Sequence, residues 1–262
     1  MFKRSYGYYL LFIFVILICT ILPACRKKEQ KNQEIMIGAA ASLKPVMEKL
    51  QTRYQEEHKN VSLVFHFAGS GTLEQQIRQG APIDIVISAS DQQLQSLSED
   101  KLILETSEVQ LVKNQVVLIT PADSRLKITG FEEALKASTI AIGDPASVPA
   151  GKYACEVFEY YHILEEAKEK STYAKDVTEV LAWVGSGNAE AGVVYATDAA
   201  RSNSITVAAV APEESHSEVI YPAALIAGTK KEAIAGDFLA YLQTEEAKEI
   251  FYEYGFLPIH DK

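Results

Sequence analysis

Two short stretches of the 262-residue chain set a hydroxyl among very small residues, where a β-branched run gives way to a helical one. They are Ala39-Ala40-Ala41-Ser42-Leu43 and Phe67-Ala68-Gly69-Ser70-Gly71-Thr72-Leu73. Small residues let a ligand approach the backbone. The first turn of a helix adds N–H groups without acceptors and the positive end of the helix dipole. Such a combination suits an anion. It suits equally a plain arrangement in which Ser42 and Thr72 cap their helices and the glycines make a turn, and at this level both readings stand.

Catalytic and metal chemistries fit less well. A nucleophile elbow needs glycine two residues before and two after its serine, and around Ser70 those places hold Ala68 and Thr72. An exported α/β serine hydrolase using Ser70 is therefore the weaker alternative. Gly143 to Lys152 is not a phosphate loop, because seven residues separate Gly143 from Gly151 and Tyr153 stands where Ser or Thr belongs. His58, His66, His162, His216 and His260 show no ligand spacing. Asp144 and Asp198 fit loop and cap duties better than a metal pair. Cys155 reads as a small hydrophobe on a helix face, and no intramolecular disulfide is expected.

The elements that must position these residues alternate. Ile35–Ala40, Val61–Phe67, Asp84–Ser88, Val109–Thr120, Thr139–Ile142, Gly192–Tyr195, Ile205–Val210 and Tyr221–Ile226 read as strands. Helices fall between them: one capped by Ser42 with Pro45 in its first turn, then Thr72–Gln79, Lys152–His162, Val177–Val184 and Lys231–Leu242. Trp183 is most simply a core anchor. This alternation predicts parallel α/β sheets with helices on both faces and ligands at the carboxyl ends of strands.

With the junctions above, Gly80-Ala81-Pro82-Ile83-Asp84-Ile85-Val86-Ile87-Ser88-Ala89, Gly143-Asp144-Pro145, Val148-Pro149-Ala150-Gly151, Gly192-Val193-Val194-Tyr195, Tyr221-Pro222 and Tyr254-Gly255-Phe256 run in order along nearly the whole chain. Together they resemble the periplasmic molybdate-binding proteins of ABC importers. The resemblance implies a type II periplasmic-binding-protein fold of the α/β class: two α/β lobes joined by two crossover strands, with the ligand in the cleft. The first lobe would take 34–116 plus 224–262, and the second 117–223. The family's oxyanion contacts map onto the hydroxyls of Ser42 and Ser70, the backbone N–H groups of Ala150 and Val177, and the hydroxyl of Tyr195. Read from burial alone, Tyr195 would be core. The resemblance further implies a non-catalytic monomer with no cofactor. Its ligand would be molybdate or tungstate, held as an oxyanion without direct metal coordination, and its partners an ABC permease and its ATPase. Sulfate or another small oxyanion is the alternative ligand.

The chemistry of such a site follows from the anion. Molybdate near neutral pH is a fully deprotonated dianion whose oxygens only accept hydrogen bonds, so a pocket of donors suits it. Phosphate keeps a proton and wants an acceptor, which none of the five positions supplies as a carboxylate. Sulfate differs mainly in bond length, so its rejection needs a rigid cavity.

The amino terminus bears on location. Lys3 and Arg4 precede an apolar run from Leu10 to Leu22, shorter than the roughly 20 residues a membrane-spanning helix needs. Residues 1–24 therefore read as a signal peptide. Leu22-Pro23-Ala24-Cys25 resembles a lipobox, which would make Cys25 a lipidated anchor to the cell membrane, on its periplasmic or outer face; a plain secretory signal is the alternative. Residues 25–33 read as a polar flexible tether. The net charge is −10, and removing two basic residues with the signal leaves −12. This argues against a nucleic-acid binder that neutralises phosphates. Capture of an anion by such a protein must then rest on local donors rather than on the overall field.

Overall fold

Two five-stranded sheets carry the described residues, 33–259, of the computed structural model. The signal segment, Cys25 and all but the last residue of the tether lie outside them. Gln33, expected to end the tether, instead opens the first strand, β1 (Gln33–Ala40). The first sheet adds β2 (Val61–Ala68), β3 (Ile85–Ile87), β4 (Val109–Asn114) and β10 (Val219–Leu225), in the order β2-β1-β3-β10-β4. The second contains β5 (Val116–Pro121), β6 (Ile140–Gly143), β7 (Ser171–Ala174), β8 (Ala191–Tyr195) and β9 (Ile205–Val210), in the order β7-β6-β8-β5-β9. This is the two-lobed α/β architecture of type II binding proteins.

Neither sheet is wholly parallel. β1 runs parallel to β2 and β3, whereas β10 runs antiparallel to β3 and β4. In the second sheet β6 runs parallel to β7 and β8, and β5 runs antiparallel to β8 and β9. The antiparallel partners arise where the chain changes lobes. Val109–Thr120, predicted as one strand, is two strands in different sheets, broken at Gln115, whose N–H donates to the Asn114 side chain Oδ1 at 2.9 Å. The return passes from β9 through a single 3₁₀ turn at Glu213–Ser215 into β10. Since β10 begins at Val219 and pairs only within the first sheet, the return precedes residue 224, where the sequence had placed it.

The central strands explain themselves by composition. β3 (IVI) and β10 (VIYPAAL) are buried at every residue and read as continuous apolar runs, as strands covered on both faces must. Pro222, which cannot donate to a ladder, sits where β10 shifts register against β4 next to Tyr221. Helix α1 (Lys44–Glu57) buries Val46, Met47, Leu50 and Tyr54 at helical spacing, with Pro45 in its first turn where no N–H is needed. Helix α2 (Ser70–Arg78) starts two residues earlier than Thr72, so Thr72 is not its cap. Helix α3 (Asp91–Glu99) is capped by Ser90, whose Oγ accepts from Gln92 N–H.

In the second lobe α4 (Pro149–Tyr160) begins three residues before the predicted start and is followed by α5 (Leu164–Lys170). The short, half-exposed strand β7 follows α5 and had no signal beyond four residues of moderate β-propensity. Helix α6 (Val177–Gly185) and the one-turn α7 (Ala196–Ala199) complete that lobe, and α8 (Glu232–Tyr241) and α9 (Glu245–Glu253) return to pack on the first. Cys155 is a half-buried free thiol.

Candidate functional site

Three elements of the first lobe end at one place. β1 runs out in Ala39 and Ala40 and passes through a 3₁₀ turn, Ala41–Leu43, before α1. Ser42 is 4% exposed and makes no side-chain cap; its Oγ lies 2.9 Å from the Tyr221 hydroxyl, 179 residues away. Asn114 accepts Gln115 N–H through Oδ1, so its Nδ2 donates, to Thr197 Oγ1 at 2.8 Å and to the Tyr221 oxygen at 3.2 Å. Either hydroxyl of the Ser42–Tyr221 pair can donate to the other, so a ligand that needs a donor can take the Ser42 proton while Tyr221 turns its own toward Ser42 Oγ. Burial pushes the Tyr221 phenol far up, so it keeps its proton.

Ser70 is the first residue of α2, behind Gly69 in extended conformation. It is 2% exposed, and its Oγ accepts the backbone N–H of Ala89 at 2.9 Å. With its oxygen engaged by a donor, its hydroxyl proton is the free end. Both first-lobe serines are thus tied from behind by a partner of their own lobe.

The second lobe contributes backbone. Pro149 opens α4, a position where its missing N–H costs nothing. Gly151 and Lys152 N–H already reach the Val148 carbonyl, at 2.9 and 3.3 Å. Ala150, between Pro149 and Gly151 at the second helical position, has no acceptor within the helix. Helix α6 is capped by Asp176, whose Oδ1 accepts Glu179 N–H at 2.9 Å, and Val177 is its first residue. The positive ends of two helices therefore meet the two serines.

Tyr195 closes the site. It ends β8, is 1% exposed, and its ring meets those of Tyr153 and Tyr221 edge-on, with centroids 6.5 and 6.0 Å away. Among the described residues its hydroxyl has no hydrogen-bond partner, and burial pushes its pKa well up, so it stays a donor. Three residues on, Asp198 is buried with Oδ2 likewise unpartnered. Burial pushes its carboxyl up to about 7 and the nearby Asp176 charge adds to that, while a hydrogen bond from the Tyr195 backbone N–H and the charge of Arg201 pull it down.

Ser42, Ser70, Val177 and Tyr195 line one small cavity, with about 10 Å³ open to the centre of a water-sized sphere. Ala150 does not itself line it; Val148 and Pro149, just before it, do. Asp176 also borders the cavity, a carboxylate the five expected positions did not include, with Oδ1 committed to its own helix. Among the described residues no histidine lines the cavity, and the partner of Ser70 Oγ is a backbone N–H rather than a base. A wider cleft of about 710 Å³, bordered by Asp91, Lys113, Lys152 and Glu218, mixes both signs of charge and shares none of the five residues. Asp144 serves its loop, taking the N–H of Ala146 on Oδ1 and those of Ser147 and Val148 on its carbonyl.

Sequence reasoning missed Tyr221 and Asn114 as supports of Ser42. Tyr221-Pro222 was noticed only as part of a pattern, and Asn114 sits in a polar stretch, Lys113-Asn114-Gln115, inside a segment read as one strand.

Residues 35–257 match the family model for bacterial extracellular solute-binding proteins. The chain is 37% identical over 230 residues to the molybdate-binding protein ModA of Haemophilus influenzae, spanning 86% of this chain and 90% of that one. It is 34% identical over 261 residues to a Bacillus subtilis protein provisionally named as the ABC transporter substrate-binding lipoprotein YvgL, spanning 98% and 99%. Among solved structures, the Azotobacter vinelandii periplasmic molybdate-binding protein superposes with a TM-score of 0.78 over 86% of this chain and 100% of that one; at 19% identity this likeness concerns the fold alone.

Proposed function

The chain belongs to the bacterial extracellular solute-binding proteins, and from that premise we propose that it captures molybdate, and tungstate with it, for delivery to an ABC permease and its ATPase. The observation that carries the reading is the donor set. Two serine hydroxyls, two helix starts and one unpartnered buried tyrosine hydroxyl converge on a cavity lined by no lysine or arginine among the described residues. Such a set matches a dianion that only accepts hydrogen bonds. It also suits a carrier. Neutral donors hold the ion through desolvated hydrogen bonds that separate together when the lobes open, whereas a buried cation would retain it. The relatives are solute-binding proteins rather than enzymes, and the site supplies no base beside Ser70.

The small cavity keeps sulfate as a second reading, since the same donors serve a shorter-bonded anion. Titration calorimetry with molybdate, tungstate, sulfate and phosphate separates the two. Tight binding of the first two with weak binding of the others is expected, and tight binding of sulfate alone would replace the ligand. The lipid anchor at Cys25, holding the exported protein to the periplasmic or outer face of the cell membrane, belongs to the same proposal. Mass spectrometry of the mature amino terminus is expected to find an acylated Cys25, and an unmodified terminus would remove the anchor.

A further inference from the structure

The glycines flanking Ser70 are not required by backbone conformation. Gly69 has φ −61°, and Gly71 is not among the glycines with positive φ, so an L-residue could adopt either conformation. Space is what they lack. A Cβ on Gly71 would lie 2.7 Å from the Ser147 carbonyl oxygen and 2.8 Å from its Cα. One on Gly69 would lie 2.9 Å from the Lys175 carbonyl oxygen and 3.4 Å from that of Ser147. Nearly all of these obstacles are backbone atoms of the opposite lobe, which cannot swing aside as the end of a side chain can. The contact is also bonded: Gly71 N–H donates to the Ser147 carbonyl at 2.9 Å. Gly236, inside α8, is different, since a Cβ there would meet only Leu225 Cδ1 at 4.0 Å.

We propose that Gly69 and Gly71 form a seam that sets how far the lobes close, and through that spacing which oxyanion the cavity accepts. The proposal rests on the oxyanion reading above. Ser147 and Lys175 lie two residues before α4 and α6, whose first turns carry Ala150 and Val177, while the seam's other side carries Ser70. Backbone contact therefore fixes the separation of Ser70 from Ala150 and Val177 within one to three residues of these donors. Tetrahedral dianions of equal charge differ in bond length, and hydrogen bonds weaken within a few tenths of an ångström of their best length, so only a rigid separation can tell them apart. The sequence reading took these small residues as room for a ligand; the structure uses them as room for the other lobe.

Gly71→Ala tests this, beside Gly69→Ala and the control Gly236→Ala. Calorimetry with molybdate and sulfate is combined with X-ray scattering, with and without molybdate, and with melting of the ligand-free protein. In Gly71→Ala molybdate affinity should fall at least about tenfold, the loss of roughly one hydrogen bond. Sulfate, already held by fewer bonds, should lose less, so the molybdate-to-sulfate ratio shrinks and the contraction on binding disappears. Ligand-free melting should hold or rise, because alanine is the better helix former. Gly69→Ala should shift the same quantities in the same direction but less, and it carries the test should Gly71→Ala melt early. Gly236→Ala should bind as the wild type does. Wild-type affinity, ratio and contraction in Gly71→Ala and Gly69→Ala would overturn the seam and leave the oxyanion reading intact. No oxyanion binding by the wild type would overturn that reading, and the seam's role in selection with it.

Discussion

The first-lobe half of the site presents side-chain hydroxyls already bonded from behind, whereas the second-lobe half presents groups left without partners. Ser42 and Ser70 each have an oxygen engaged by a fixed neighbour, Tyr221 or the Ala89 N–H. Tyr195 Oη has none, and Asp198 Oδ2 behind it has none either. A buried polar group without a partner costs on the order of 1–3 kcal/mol. The first half is thus a finished piece of structure. The second half carries a standing cost; on the oxyanion reading a bound anion would remove it at the tyrosine and so couple capture to closure.

Substitutions should separate the halves. The largest effect is expected for Ser70→Ala, which removes a donor to the anion and also strips the buried Ala89 N–H of its acceptor. Affinity should fall by about 1–3 kcal/mol and ligand-free melting should drop with it; Ser42→Ala should follow the same pattern. Unchanged calorimetric affinity in both would move the pocket elsewhere. Tyr195→Phe should weaken binding by about 1–1.5 kcal/mol, yet leave ligand-free melting unchanged or higher, because the lost hydroxyl had no partner. A drop in melting as large as that of Ser70→Ala would erase the contrast.

A further contrast concerns pH. The Asp198 carboxyl is raised by burial from an ordinary 3.8 to about 7. Between those values the folded chain holds a proton that the unfolded chain has released, so this group's contribution to stability falls as pH rises through that window and levels off above it. Asp198→Asn can still accept the Tyr195 N–H but does not titrate. Melting scans from pH 5 to 8 should show the variant gaining on the wild type as pH rises. A constant difference would mean that Asp198 stays charged in the folded protein.

Much of the fold was legible because short β-branched runs and glycine-punctuated helices keep their local preferences. Failures came where a distant partner outweighed a local rule. Ser42 has the residue type and place of an N-cap, but a tyrosine from β10 takes its hydroxyl. Val109–Thr120 is β-rich on both sides of Lys113-Asn114-Gln115, and that short polar interruption does not say that Asn114 and Val116 belong to different sheets. The site residues were nameable through ordered motifs rather than periodicity, and Tyr195 on burial alone would have passed for core. Tyr221 and Asn114 escaped because their role is to orient another side chain, which leaves no spacing signature.

The most direct test of a neutral-donor dianion site is anomalous diffraction from crystals grown with tungstate. One strong peak is expected in the cavity between Ser42 and Ser70 on one side and the starts of α4 and α6 on the other. The oxygens around it should lie about 2.7–3.1 Å from the two serine hydroxyls, the N–H groups of Ala150 and Val177, and Tyr195 Oη. A peak held by lysine or arginine side chains, or seated in the wider cleft beside Lys113 and Lys152, would contradict the account.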